Sequence, residues 1–207
     1  MKPALVSQLA AVVGKDHVFA GQADTAVYAY DASLATSRPE VVVFPKDTSE
    51  VAQVVRLATR LGIPFLPRGF GTNLSGGTIS AHSGLILCLS RLNRILDIQP
   101  ELGVAVVQPG VTNLELQDAL ARHGFFYAPD PASQKVSTLG GNVGEDSGGP
   151  RCVKYGVTQN HVLGLETVLP GGDVLQLGGA PLDPPGYDLR GLLIGSEGTL
   201  GIVTAVT

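Results

Sequence analysis

"PRGFGTNLSGGT", residues 67–78, places four glycines, two threonines, a serine and an arginine in twelve positions. The strand-like run "IPFLP" (63–67) leads into it, and a second strand-like run, "GLILCLS" (84–90), follows it. Glycines and small hydroxyl residues let consecutive backbone N–H groups converge on one point without Cβ obstruction, which makes an anion-binding concavity suited to phosphate. Two familiar phosphate loops fail here. The Walker A spacing is met by Gly71, Gly76 and Thr78, but Gly77 stands where a lysine must reach the phosphates, and no helix pattern follows. The dinucleotide fingerprint begins at Gly69 and Gly71 but has Leu74 in place of its third glycine, and a strand follows where a helix is required. The plain alternative is a glycine-rich surface turn. Two further segments weigh against it: "TLGGNVGEDSGG" (138–149), preceded by "PDPAS" (129–133), and "GSEGTLGIVT" (195–204). Three glycine-rich loops, each expected to start or end a strand, suit one extended ligand of dinucleotide size approached closely by backbone.

On either side of this loop the pattern is mixed: Leu5, Leu9, Val12 and Val13 recur at helical spacing until Gly14 and predict an opening helix. "EVVVF" (40–44) is a β-branched strand, and Asp47 with Glu50 has capping-box spacing ahead of a helical face of Val51, Val54, Val55, Ala58 and Leu61 that stops at Gly62. With "IPFLP" this makes a β-α-β unit that delivers the chain into the glycine loop. "RILDIQ" and "GVAVVQ" predict a hairpin turning at Pro100 to Gly103. Thr112 and Glu115 predict a capped helix running to Gly124. Residues 162–179 read as two strands around "PGGD", "YDLRGLLIG" as a short helix, and "GIVTAVT" (201–207) as a last strand. The chain ends inside that alternating run, so a domain cut from a longer protein is expected, with a short natural protein as the alternative.

Composition narrows the classes of function. With 207 residues, 44% hydrophobic and 15% charged, the chain can bury a sizeable core. Its 27 glycines and 14 prolines lie between apolar segments and mark many tight connections. A net charge of −4 without a dense basic run gives no footprint for nucleic acid. No apolar stretch approaches the roughly 20 residues that span a bilayer, and the N-terminus has no small-residue cleavage site, so the cytoplasm is the default compartment. Cys88 and Cys152 have neither metal-ligand spacing nor a disulfide framework and read as idle thiols.

The three glycine-rich motifs, in this order and spacing, resemble the flavin-binding domain of the vanillyl-alcohol oxidase / p-cresol methylhydroxylase (PCMH-type) superfamily, from about residue 38 to the end. Within it the chain is most similar to the D-2-hydroxy-acid branch, which includes the glycolate oxidase FAD-binding subunit and D-lactate dehydrogenases. The resemblance implies an α+β fold of two subdomains, about 38–90 and 91–207, with FAD between them, after a helical lead-in over 1–37. It implies a pyrophosphate loop running from Pro67 and Arg68 through Gly69, Phe70, Gly71, Thr72, Asn73, Leu74, Ser75 and Gly76 to Gly77, with Thr72, Asn73 and Ser75 adding side-chain donors. A second flavin segment matches at Pro131, Ser133, Thr138, Gly140, Gly141, Asn142 and Gly144, completed by Gly156 and Val157. Glu197, Gly198, Gly201 and Ile202 match the third. Relatives that bind flavin covalently through this loop carry histidine where Thr72 stands, so attachment is expected to be non-covalent.

Oxidation of a 2-hydroxy acid also needs a cation for the carboxylate and a base for the hydroxyl. His17, His82, His123 and His161 stand in no motif and read as surface or packing residues. The resemblance implies that substrate-binding and catalytic histidines and arginines come mostly from a C-terminal cap domain absent from these residues, and that reduced flavin passes electrons to a partner such as an iron-sulphur subunit. The expectation is therefore the FAD-binding part of a glycolate- or D-lactate-type dehydrogenase, poorly active by itself. The alternative is a non-catalytic FAD-binding module.

Overall fold

The structure is a computed structural model that describes residues 3–179 and 186–207. In chain order the elements are α1 (Pro3–Val13), β1 (Val18–Phe19), α2 (Gln22–Ala26), β2 (Val41–Val43), α3 (Thr48–Leu61), β3 (Phe65–Arg68), β4 (Leu85–Cys88), β5 (Ile95–Gln99), β6 (Val104–Val107), α4 (Asn113–Ala121), α5 (Leu139–Glu145), α6 (Cys152–Tyr155), β7 (Gly164–Val168), β8 (Val174–Gly178), α7 (Leu189–Leu193) and β9 (Ile202–Val206). They form an α+β fold around two sheets, a four-stranded one ordered β1-β2-β4-β3 and a five-stranded one ordered β5-β6-β9-β7-β8.

The first sheet shows why short runs without polar alternation become strands. β2, β4 and β3 are parallel, and a parallel strand covered on both faces must be apolar on both. Val41, Val43, Leu85 and Leu87 face α1 and α3. Val42, Ile86 and Cys88 face the other way, onto Phe19, Tyr28, Phe44 and Leu66. β4 lies between β2 and β3, so α3 crosses over a strand that enters the chain later.

α3 starts as its sequence dictates: the Asp47 carboxylate accepts the Glu50 N–H at 2.9 Å. Glu50 in turn accepts the N–H of Lys46, one residue before the N-cap, at 2.9 Å. Gly62 closes the helix in the left-handed region at φ +65°. The same helix ties the two sheets together. Thr48 donates to Glu166 of β7 at 2.6 Å, Arg56 to Gly172 O at 2.7 Å and Thr59 to Pro170 O at 2.6 Å. Val168 and Ile202 of the second sheet belong to the core that α3 packs against.

The second sheet is antiparallel throughout, and its core gathers Val107, Leu116, Leu139, Val143, Leu165 and Val206. The β5–β6 hairpin and the Thr112–Glu115 capping box form as their sequences predict. Three expectations are corrected. α4 stops at Ala121, and Gly124, at φ +76°, ends the turn after it. The first 37 residues also supply β1, which pairs antiparallel with β2. The segment 138–149 is no strand-flanking loop: Thr138 caps α5 by accepting the Gly141 N–H. Glycine disfavours helix intrinsically, but Leu139, Asn142 and Val143 are buried on one side of α5. A Cβ at Gly140 would stand 2.5 Å from Cβ of Pro109, so glycine is what lets the helix settle there.

Candidate functional site

All three glycine-rich segments meet in one cleft between the sheets. The first contributes Pro67, Arg68, Gly69, Gly77 and Thr78, the second Thr138, Gly140, Gly141, Gly144 and Glu145, and the third Ser196, Glu197, Gly198 and Gly201, with Leu89, Pro109, Leu193 and Val203 between them. An adjoining pocket of about 600 Å³ shares Arg68 and Gly69 and adds Phe70, Gly71, Thr72 and Ser133, facing Tyr28, Tyr30, Asp31 and Phe44. The segments touch where side chains are missing: a Cβ at Gly77 would run into the Glu197 carboxylate, and one at Gly198 into the Pro67 ring.

The loop at 67–78 is held from beneath by Arg68. Its guanidinium is buried and donates to Tyr30 O at 2.7 Å and to the carbonyl and hydroxyl of Thr78, both at 3.3 Å. It also lies 5.7 Å over the Tyr28 ring. Burial pulls its pKa down from the ordinary arginine value, with Asp31 and other neighbours acting in opposition. Arg68 is thus spent on shaping the loop. Asn73 Oδ1 and Asp31 Oδ2 lie 3.0 and 3.2 Å from the Thr78 hydroxyl, while Asn73 Nδ2 is buried without a partner among the described residues.

The backbone of this loop differs from the rest of the cleft. Among the described residues, no N–H from Phe70 through Thr78 donates to an acceptor within the chain. The second segment offers nothing comparable, because Leu139 N donates to Val111 O, Gly140 N to Pro109 O, Gly141 N to Thr138 Oγ1 and Asn142 N to Thr138 O. In the third, Glu197 N is bonded to Gly144 O and Gly195 N to Val143 O. The first segment presents the longest run of unbonded donors, the third adds Gly198, Leu200 and Gly201, whose N–H groups likewise find no acceptor among the described residues, and the second builds a wall.

Acidic side chains sit opposite those donors. Ser75 Oγ donates to Glu145 Oε2 at 3.1 Å, and both Glu145 and Glu197 approach the position a Gly77 side chain would take. Burial raises the Glu145 carboxyl above its ordinary value; the Ser75 hydroxyl lowers it, and the charges of Glu197 and Asp31 raise it further.

Not every residue matched by the motifs reaches the cleft lining. Leu74 is exposed, and Ser75 and Gly76 stand at the rim beside it. Asn142 is buried behind Gly141, with Nδ2 unpartnered among the described residues. Ile202 is packed in the core under α3. Pro131 O accepts from Gln134 N in a turn. Gly156 and Val157 belong to a separate turn, where Val157 N donates to Asn160 Oδ1. Sequence reading missed Tyr28, Tyr30, Asp31 and Pro109, which lie in no motif and reach the cleft only where elements cross, and Glu145, which lies inside the second motif but was not singled out there. None of the four histidines lines either pocket; His161 Nε2 lies 3.0 Å from Tyr155 O.

Comparison with known proteins agrees with this architecture. A family model described as "FAD binding domain" matches residues 39–178. The glycolate oxidase subunit GlcD of Bacillus subtilis is 46% identical over 199 residues, covering 95% of this chain and 42% of that protein. A D-lactate dehydrogenase of Anaerostipes hadrus is 42% identical over 172 residues, covering 83% of this chain and 36% of its own. The chain therefore spans less than half the length of these relatives. In fold it is similar to a crystal structure of p-cresol methylhydroxylase with substrate bound, at a TM-score of 0.83 and 24% identity over 98% of this chain and 42% of that one. The chain belongs to the FAD binding domain family, and its cofactor is FAD.

Proposed function

We propose that this chain is the FAD-binding part of an enzyme that oxidises a 2-hydroxy acid such as glycolate or D-lactate. The observation that carries the reading is the run of backbone N–H groups from Phe70 through Thr78 without acceptors among the described residues. A diphosphate needs several such donors at once, and Asn73 in the loop and Asn142 in the second segment each keep a buried Nδ2 without a partner among the described residues. Pro67 to Gly77 would hold the diphosphate. Thr138, Gly140, Gly141 and Gly144 would form one wall and Glu197, Gly198 and Gly201 the other. Pro131, Ser133, Gly156, Val157 and Ile202 would support these from behind or from the rim. Two subdomains, about 38–90 and 91–207, would enclose the cofactor, which Thr72 leaves without a covalent tether.

FAD when bound supplies the acceptor for hydride from the carbon that bears the substrate hydroxyl. The chain's own residues bind and orient the cofactor and keep water from its phosphates. A base for the substrate hydroxyl would come from a further cap domain, in keeping with the absence of histidine from the cleft lining. The similarity to a protein named as a glycolate oxidase subunit supports an electron-accepting partner subunit, of iron-sulphur type if the likeness extends that far. The second reading, a non-catalytic FAD module, draws on the same missing base.

Anaerobic addition of glycolate or D-lactate to the flavin-loaded longer protein should bleach its visible flavin band, and the 207-residue chain should bleach slowly or not at all. Failure of the longer protein to bleach with any 2-hydroxy acid would favour the non-catalytic module. Heat denaturation should release the yellow colour into the supernatant; colour kept by the pellet would overturn the non-covalent assignment.

A further inference from the structure

The glycine loop takes its shape from outside itself. Its N–H groups from Phe70 through Thr78 meet no acceptor within the chain among the described residues, so side chains must fix the path of its backbone. A turn that precedes the matched stretch 39–178 supplies them. Tyr30 bridges to Thr36 and closes this turn, and Asp31 is buried inside it. Ser33 and Ala35 of the same turn stand 3.8 and 4.0 Å from where a Gly76 side chain would begin. Just past the loop, Ser37 Oγ donates to Ser80 O at 2.7 Å.

Asp31 also answers the charge of Arg68. Among the described residues no carboxylate forms a direct ion pair with that buried guanidinium, and a buried charge needs compensation. It arrives across one hydroxyl. Arg68 Nη1 donates to Thr78 Oγ1 at 3.3 Å. That hydroxyl lies 3.2 Å from Asp31 Oδ2 and 3.0 Å from Asn73 Oδ1, and its proton serves the two acceptors in turn. Asp31 Oδ1 accepts the Ser33 N–H at 2.8 Å. Burial raises the Asp31 carboxyl, but hydrogen bonds from Ser33, Thr78 and Asn73 outweigh it and hold the group below the ordinary carboxylate value. Its charge is therefore present at neutral pH. On the reading of 67–78 as the diphosphate loop, we propose that Asp31 is a positioning residue for FAD: through the Thr78 hydroxyl it pins Arg68 and Asn73, and so keeps the loop's N–H groups convergent before the cofactor arrives. Two carboxylates near the loop then act with opposite sign. Glu145 opposes the diphosphate, whereas Asp31 favours its binding although its own charge is negative.

The test is FAD titration, followed by flavin fluorescence, of the 207-residue chain carrying Asp31→Ala, Thr78→Val, both together, or Thr78→Ser. Asp31→Ala should weaken FAD binding by about tenfold, even though it removes a negative charge near a diphosphate. A bystander carboxylate would leave affinity unchanged or tighten it on removal. Thr78→Val should weaken binding to a similar degree, and the double variant no further than either alone, because both break one link. Thr78→Ser, which keeps the hydroxyl, should recover most of the affinity that Thr78→Val loses. Thermal melts without cofactor identify the variants that are folded, and the Thr78 pair decides the matter should Asp31→Ala not fold. Gly71→Ala, which distorts the loop directly, separates the two levels of the argument. If it weakens FAD binding and Asp31→Ala does not, the positioning role falls and the diphosphate loop stands; if neither does, both fall. Unchanged or tighter binding by Asp31→Ala, additive losses in the double variant, or equal losses for Thr78→Val and Thr78→Ser would each overturn the proposal.

Discussion

Gly71 sits at φ +70°, with the Arg68 guanidinium where its side chain would begin. Gly71→Ala therefore meets both backbone strain and the buried clamp. It should cost about 1–2 kcal/mol of stability and weaken FAD binding by about tenfold or more, measured by thermal melts and flavin titration. Unchanged affinity would show that the loop's shape does not matter to the cofactor. Glu145 gives a prediction of opposite sign. Its carboxyl is raised by burial, against the pull of the Ser75 hydroxyl. The folded chain thus keeps this proton to higher pH than the unfolded chain does, and its contribution to stability falls as pH rises from the ordinary carboxylate range through the raised value. A diphosphate meets one negative charge fewer while Glu145 is protonated, so FAD binding should tighten as pH falls through that window. Glu145→Gln should bind FAD several-fold more tightly at pH 7 and flatten this dependence; parallel pH curves for the two proteins would contradict the role. The glycine spacing of 67–78 is legible because close backbone approach leaves a mark on residue type. Glu145 and Asp31 leave none, since their importance comes from which elements cross near the loop.

At the level of elements, local chemistry was readable wherever it ruled the outcome. Asp47, Thr112 and Gly62 sit where caps are needed: α3 begins at Asp47 and ends at Gly62, and α4 begins at Thr112. α5 was hidden because its sequence, "LGGNVGE", is poor in helix formers and owes its shape to burial against Pro109 and the second core. These two helices separate stability from binding. Asp47→Ala should cost about 1 kcal/mol and leave FAD affinity unchanged, because α3 lies outside the cleft lining. Thr138→Ala removes the α5 cap and a wall beside Gly69; it should cost a similar amount and weaken FAD binding as well. Equal effects of the two substitutions on affinity would argue that the wall is passive.

Over the whole molecule, the meeting of the three glycine segments in one cleft follows the expectation that their order raises, while the insertion of β4 between β2 and β3 and the bracing by α3 emerge only in three dimensions. That bracing ties the two sheets together through α3, which contributes no residue to the cleft lining. If the backbone of the 67–78 loop holds the diphosphate, amide hydrogen exchange with and without FAD will report it. Exchange from Phe70 through Thr78 should slow markedly when FAD binds, while Leu139 to Asn142, already bonded within the chain, change little. Bound FAD with unaltered exchange across Phe70 to Thr78 would place the phosphates elsewhere.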